Sequence, residues 1–250
     1  MKRNYGWYPS KPDIRNHKYN APKTFGLIQQ QLPQVVDLRS IMSPVEDQGQ
    51  TSACTAHAMV AMLQALEIKN KRDYHDYSRL FVYANSRIIE DSLDSDCGSC
   101  NHDVIQGIKN NGACFESFWP WDLSQITVKP NGNAYNEAKQ NLFSEYQSLD
   151  TLYDMKHCLS TGYPFIMGFT VYDYFESGEM EETGILNMPG PNESAIGGHA
   201  VCCVGYDDNK KEVLVRNSWS SSWGPFGGYF WMSYDYLSSE LCSDKWVIYE

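Results

Sequence analysis

The spacing of apolar positions changes partway along the chain. Ala56, Met59, Val60, Leu63 and Leu66 recur at helical intervals and predict a helix over roughly 53–69, with Thr51 or Ser52 placed to cap it. Leu80, Phe81, Tyr83, Ala84, Ile88 and Ile89 predict a second helix near 78–90. Val104, Ile105 and Ile108 predict a third near 102–111, stopped by Asn111-Gly112. Beyond residue 160 the runs become short and strand-like. Pro164 to Val171, Ala200 to Tyr206, Val213 to Asn217, Gly228 to Ser233 and Lys245 to Tyr249 read as strands, with Asp207-Asp208-Asn209 as a hairpin turn. Helices first and strands afterwards predict the α+β class, with a helical lobe mainly over 50–150 and a sheet lobe mainly over 151–250. Folded sequence begins at Leu32. Residues 1–31 follow neither period, yet Tyr5, Trp7, Tyr8 and Tyr19 need somewhere to bury. They read either as a loosely packed extension or as a strap across a cleft.

Composition narrows the function more than the fold. A chain of 250 residues suits one large domain or two lobes around a shared cleft. A net charge of −11 without a basic run argues against nucleic acid or an anionic membrane as partner. No apolar stretch approaches the length of a membrane span. The start, Met1-Lys2-Arg3-Asn4-Tyr5-Gly6-Trp7, lacks an apolar signal core, so the expected location is cytoplasmic or another reducing compartment, with secretion and virion packaging left open. The eight cysteines agree with that expectation. If one is reserved as a nucleophile, the remaining seven cannot all pair within the chain.

Three distant segments carry the candidate chemistry. Cys54 falls in the first turn of its predicted helix, where unpaired N–H groups favour a thiolate. His199 opens a strand after Gly197-Gly198, and glycine leaves room for another backbone to approach. Asn217 ends a strand, and its side-chain oxygen can accept from one ring nitrogen of His199, leaving the other to face sulfur. Trp219 can cover that hydrogen bond. Gln48 can donate to an oxyanion together with the Cys54 backbone N–H. Taken singly, each has a plainer reading: a packed cysteine, a structural histidine, the end of a strand, a Gln48-Gly49 turn. Together, in the order thiol, imidazole, amide, they predict acyl transfer through a thioester. The 145 residues from Cys54 to His199 fall within the span of about 130–150 for papain-type enzymes.

Gln48-Gly49-Gln50-Thr51-Ser52-Ala53-Cys54, Gly198-His199-Ala200-Val201, Gly205-Tyr206, Asn217-Ser218-Trp219 and Trp223-Gly224 resemble the papain-family cysteine peptidases. The resemblance covers 32–250, leaving 1–31 as a short extension of the kind found in the family's microbial branch. It implies a helical left lobe, an antiparallel β-barrel-like right lobe and a cleft between them. It also implies a cysteine protease that needs no cofactor and no metal and acts on peptide or protein substrates. By the same resemblance Gln48 takes the oxyanion role, Cys54 the nucleophile, His199 the acid/base and Asn217 the orienting role. Trp219 shields the Asn–His bond, Trp223 walls the leaving-group side, and Gly98 and Ser99 present backbone to an extended substrate. The sequence departs from the family at Thr51-Ser52-Ala53-Cys54-Thr55, which lacks the usual first cysteine and the tryptophan after the nucleophile. A long helical prosegment is absent, so regulation as a zymogen would fall to the short lead.

Other residues carry less. Cys97-Gly98-Ser99-Cys100-Asn101-His102 has a metal-like pair but no second cluster, and its cysteines either form a rim disulfide or stay free. Gly168 and Gly197 fall where side chains usually wall a specificity pocket, which predicts a roomy one. His57 lies too far along the helix to serve as base. Cys202 and Cys203 alternate across a strand as packing residues. An acyltransferase or transglutaminase-like enzyme, or an inactive peptide-binding homologue, remains as an alternative on the same fold.

Overall fold

A computed structural model describes residues 3–21, 23–24, 28–29, 31–70, 75–143 and 145–249. The helical pattern of the first half resolves into α1 (Cys54–Lys69), α2 (Arg79–Ile89) and α3 (Asn101–Asn111), followed by a short α4 (Gly132–Ala138). From Cys54 to Glu67, α1 is buried on every face, as befits a central helix. Ser78 caps α2 by accepting from the Phe81 N–H at 3.0 Å, and α3 stops at Gly112, whose φ of +77° a side chain would strain. The expected cap of α1 does not form. The residue before α1 is Ala53, because Thr51 spends its hydroxyl on the Gln48 carbonyl at 2.8 Å and the Ser52 N–H turns to the Asp96 carboxylate. The α1 N-terminus is thereby left without a side-chain cap.

The strands are β1 (Lys23–Thr24), β2 (Ile28–Gln29), β3 (Val35–Asp37), β4 (Glu145–Ser148), β5 (Phe165–Tyr172), β6 (Ile185–Leu186), β7 (Ala195–Asp207), β8 (Glu212–Arg216), β9 (Tyr229–Ser233) and β10 (Cys242–Tyr249). Beyond the small β1–β2 pair they form one sheet in the order β4-β10-β5-β7-β8-β9-β6, with β3 added to β7. Among the described residues the sheet is open, with β6 parallel to β9, rather than a closed barrel. Helices α5 (Leu152–Ser160), α6 (Gly178–Thr183) and α7 (Tyr234–Ser238) lie in the same half. Both faces of β7 are covered. Ala200, Cys202 and Val204 pack into the core shared with α1, and Val201 and Cys203 into the core on the opposite face.

The β7–β8 hairpin contains one irregularity that sets its geometry. Cys202 opposes Arg216 and Cys203 opposes Val215, but Gly205 then opposes Leu214, so Val204 is an extra residue in β7. The freed Val204 carbonyl accepts from the Leu38 N–H at 2.8 Å, at the end of β3. Next to it, β3 passes so close that a Cβ on Gly205 would lie 2.3 Å from the Val36 carbonyl oxygen. The lead runs along the junction of the two halves. The Trp7 N–H donates to the Gly198 carbonyl at 2.9 Å and the Ser99 N–H to the Gly6 carbonyl at 2.7 Å; further on, the Tyr19 N–H reaches Ser148 on β4. Residues 1, 2, 22, 25–27 and 30 of the lead lie outside the described residues.

Gly205→Ala should lower stability by about 1–3 kcal/mol through overpacking against β3. The urea midpoint measures it, and an unchanged midpoint would mean that the close approach of β3 does not hold the bulge.

Candidate active site

Cys54 opens α1 and faces β7. Backbone N–H groups of Ala200 on β7, of Gly6 in the lead and of Thr55 on its own helix point at the thiol. His199 immediately precedes Ala200, so the strand that touches the sulfur also delivers the imidazole. The His199 Nε2 lies 2.8 Å from the Asn217 Oδ1. That distance fits an Nε2–H donor, which leaves Nδ1 unprotonated. Nδ1 is buried and has no hydrogen-bond partner among the described residues. Trp219 lies over this pair, its ring centroid 5.2 Å from that of His199, and Trp223 meets Trp219 edge-on at 5.3 Å.

The Gln48 side chain is pinned at both ends. Its Nε2 donates to the Thr51 carbonyl at 2.8 Å and its Oε1 accepts from the Ser218 hydroxyl at 2.6 Å. The second amide hydrogen of Gln48 remains to be donated elsewhere. Ser218 joins the two halves of the site. Its backbone N–H donates to the Asn217 Oδ1 at 2.8 Å and its carbonyl accepts from the Gln48 N–H at 2.9 Å. Sequence reasoning passed over Ser218. Its signal was a hydroxyl held between two site residues.

Gly98 and Ser99 meet an extended backbone, and that backbone is the lead. Trp7 pairs with Ser99 in a parallel bridge, and a Cβ on Gly98 would lie 1.9 Å from the Gly6 carbonyl oxygen. The space predicted around Gly168 and Gly197 is filled. A Cβ at Gly168 would sit 1.8 Å from the Trp7 ring, and one at Gly197 2.6 Å from the Tyr5 Cβ. Tyr5 stands edge-on to His199 at 6.0 Å, and its hydroxyl donates to Glu176 at 2.7 Å. Trp7 donates through Nε1 to Asp244 at 3.1 Å. Nothing in the sequence pattern pointed to Asp244 or Glu176.

The residues set aside earlier stay apart from this centre. His57 is buried with its Nδ1 3.1 Å from the Ala53 carbonyl. All eight cysteines are free. Among the described residues, Glu90, Cys100 and Asp103 bring possible ligand atoms within 4.8 Å of one another. There the Cys100 thiol donates to Asp103 at 3.2 Å, and burial pushes its pKa upward. A protonated thiol spent on a carboxylate is a poor metal ligand. His102 and Cys97 stand outside the group.

Burial sets the protonation of the centre. It pulls the His199 pKa down to about 4, partly opposed by the Asn217 hydrogen bond. It also raises the Cys54 thiol above its usual value, against the N–H groups of Ala200 and Gly6. With the lead seated, sulfur and imidazole are therefore both neutral at pH 7.

The sequence model of the papain family of cysteine proteases matches residues 32–245. A peptidase C1-like protein of Acanthamoeba polyphaga mimivirus is 38% identical, the alignment covering 100% of this chain and 88% of that one. Cysteine proteinase 3 of Entamoeba histolytica is 26% identical, over 90% of this chain and 70% of the relative. The crystal structure of xylellain, a cysteine protease from Xylella fastidiosa, superposes with a TM-score of 0.89 at 34% identity, covering 99% of this chain and 97% of that one.

Burial likewise pulls the His57 pKa down to about 3. The unfolded chain therefore binds more protons at these two imidazoles as pH falls from about 6.5. Each contributes stability that is complete above about 6.5 and lost as pH falls towards its folded value, at up to about 1.4 kcal/mol per pH unit. Half-buried Glu46 and Glu116, whose pKa values are raised by desolvation, oppose the trend, so the check is differential. His57→Gln should flatten the urea-midpoint profile between pH 6.5 and 4 by one imidazole's share. A profile parallel to wild type would mean that His57 is protonated in the fold.

Proposed function

Because the chain belongs to the papain family of cysteine proteases, a family of cysteine-type hydrolases acting on peptides or proteins, we propose that Cys54, His199, Asn217 and Gln48 carry the reaction and that the lead restrains it. The observation that supports this most is the division of labour at His199. One ring nitrogen is tied to Asn217, while the other is buried, unpartnered and on the strand whose next N–H faces the Cys54 thiol.

In this mechanism the thiol proton passes to His199 Nδ1 and the sulfur attacks the substrate carbonyl carbon. The C=O electron pair moves onto oxygen, where Gln48 Nε2 and the Cys54 backbone N–H donate to it. The imidazolium then protonates the leaving amine as the C–N bond breaks. Neutral His199 takes a proton from water, whose oxygen attacks the thioester, releasing the acid and restoring the thiol. Ser218 holds Asn217 and Gln48 in one frame, and the indole of Trp219 keeps water off the Asn217–His199 bond. Eight free thiols support a reducing compartment as the working environment. No helix among the described residues is long and apolar enough to cross a membrane.

The lead occupies the groove in an orientation that resists cleavage. The leaving amine must depart on the His199–Trp219 side, so a substrate runs from Ser99 towards Trp219. The lead runs the other way, from Tyr5 beside His199 and Trp219 to Trp7 beside Ser99. Its Gly6 N–H faces the sulfur directly, and a Cβ at position 6 would lie 1.9 Å from the Ser52 carbonyl oxygen.

Cys54→Ala and His199→Ala should each remove peptide hydrolysis, a loss on the order of 10⁴-fold or more in kcat. Asn217→Ala, which misorients the base, should cost about 10–100-fold in kcat/KM. Persisting turnover in purified Cys54→Ala ends the proposal. Separately, Gly6→Val in the full chain should raise the rate of Cys54 labelling by a small thiol-directed epoxide roughly tenfold or more. Labelling at the wild-type rate would show that the lead does not restrain the thiol.

A further inference from the structure

The Gly6 backbone is gripped between two walls. A Cβ at position 6 would lie 1.9 Å from the Ser52 carbonyl oxygen, and a Cβ at Gly98 would lie 1.9 Å from the Gly6 carbonyl oxygen. Ser52 belongs to the loop that leads into Cys54. Gly98 belongs to the segment whose next N–H, that of Ser99, donates to the Gly6 carbonyl at 2.7 Å. The distance between these walls sets where an extended backbone stands relative to the sulfur.

Two side chains join the walls from behind. The Asp96 carboxylate accepts from the Ser52 N–H, each oxygen at 3.1 Å, and from the Tyr83 hydroxyl at 2.6 Å. The Tyr83 oxygen in turn accepts from the Gly98 N–H at 2.9 Å. Tyr83 lies on α2 and is fully buried. Burial, and then the bond to Asp96, raise its pKa, so the hydroxyl keeps its proton and donates and accepts at once. The Arg87 guanidinium lies over the ring, its Cζ 3.7 Å from the centroid. Arg87 is itself buried and donates to the carbonyls of Tyr83, Ser95 and Ile126. The phenol is thus held across its face by a cation and at its tip by two hydrogen bonds. Phenylalanine would fill the same space, but only the hydroxyl connects Gly98 to Asp96.

We propose that Tyr83 and Asp96 are positioning residues of the reaction: they fix the distance of the Gly98–Ser99 segment from the Cys54 loop and so bring the carbonyl of a bound peptide into line with the sulfur. The assignment rests on the peptidase reading, and the tests separate the two. A peptide paired with Ser99 has its scissile carbonyl placed by one wall, while the thiol and the Cys54 N–H come from the other. Misplacement by about 1 Å between such parts costs up to about 10²-fold in rate. A substrate too short to reach Ser99 settles against the Cys54 loop alone and does not sense the spacing.

The full chain carrying Gly6→Val is assayed with two substrates. One is a peptide with three residues before the cleaved bond, which reaches Ser99; the other is an N-formyl ester of a single residue, which ends short of it. Tyr83→Phe keeps the ring under Arg87 but removes the link, and should lower the long-to-short ratio of kcat/KM about tenfold. Asp96→Ala should do the same, and Asp96→Asn, which keeps an acceptor oxygen, should lose less. Combining Tyr83→Phe with Asp96→Ala should be no worse than the more severe single change, because one link is broken once. Residues that only stabilised the fold would lower both substrates together and leave the ratio unchanged, which would overturn the assignment. So would losses that multiply in the double variant. Either result leaves the peptidase reading intact, whereas no hydrolysis of any substrate would overturn both. The second measurement needs no turnover. In the otherwise unaltered full chain, hydrogen exchange is followed at single amides by NMR. The Ser52 amide is bonded to Asp96 and not to Tyr83, yet Tyr83→Phe should speed its exchange about tenfold more than that of Val247 in β10. Equal changes at Ser52 and Val247 would mean that Tyr83 does not brace the Cys54 loop.

Discussion

One inserted residue decides whether His199 and Asn217 can meet. Directly opposed residues of an antiparallel pair point to the same face, and faces alternate along each strand. In the segment nearest the site, Cys202 opposes Arg216, which puts Asn217 opposite Val201 and on the same face as His199. In the segment nearest the turn, Gly205 opposes Leu214, Tyr206 opposes Val213 and Asp207 opposes Glu212. Continuing that register inward would pair Asn217 with Cys202 and send its amide to the face opposite His199. The bulge at Val204 makes the correction, and the Leu38 N–H bonded to the released carbonyl keeps it in place. The 2.8 Å contact of His199 and Asn217 therefore depends on the register that this bulge sets. The Ser218 bridge carries the same register across to Gln48, so the groups on both sides of the groove move as one unit.

Cys54 and His199 are fully buried, and the lead lies against this unit. Burial is the largest influence on both Cys54 and His199, and it favours the uncharged form of each. An ion pair of thiolate and imidazolium would have to form under Tyr5, Gly6 and Trp7, which offer one backbone N–H to the sulfur and no anion to the ring. Tyr5 adds bulk beside His199 while sending its own hydroxyl away to Glu176. Burial thus favours the neutral form of both groups where the lead packs against them. The bulk beside both groups comes from a single short segment, residues 5–7.

Much of this was legible in the residues, and the limits follow from range. The starts of α1, α2 and α3 fall within a residue or so of their apolar periods, because each helix buries a face that its own side chains define. Cys54, His199, Asn217 and Gln48 stood out because a thiol, an imidazole and two carboxamides occurred in one order. What escaped depends on partners far along the chain. The α1 cap was misread because Thr51 is claimed by Gln48, a contact belonging to the turn rather than the helix. The bulge was invisible because Val204 looks like any buried strand residue. The glycines at 168 and 197 were correctly seen as lacking walls, but the conclusion of empty space failed, since Trp7 and Tyr5 supply from residues 5–7 the bulk that the strands omit. Asp244 carried no signal at all. It is one acid among many in an acidic chain, and it gains meaning only from the four donors gathered around it.

Those four donors also explain why such a carboxylate can sit at a lobe junction. Asn101 begins α3, whose N-terminal partial charge favours an anion, and Trp246 belongs to β10 of the sheet. Asp244 is thus tied to both halves of the molecule, to the start of α3 and to its own strand β10. The lead completes the coordination with the Trp7 indole N–H at 3.1 Å and the Ser10 hydroxyl at 2.6 Å, neutral groups that satisfy the oxygens without matching their charge. The lead is thus anchored to both halves through one carboxylate, by hydrogen bonds from uncharged donors.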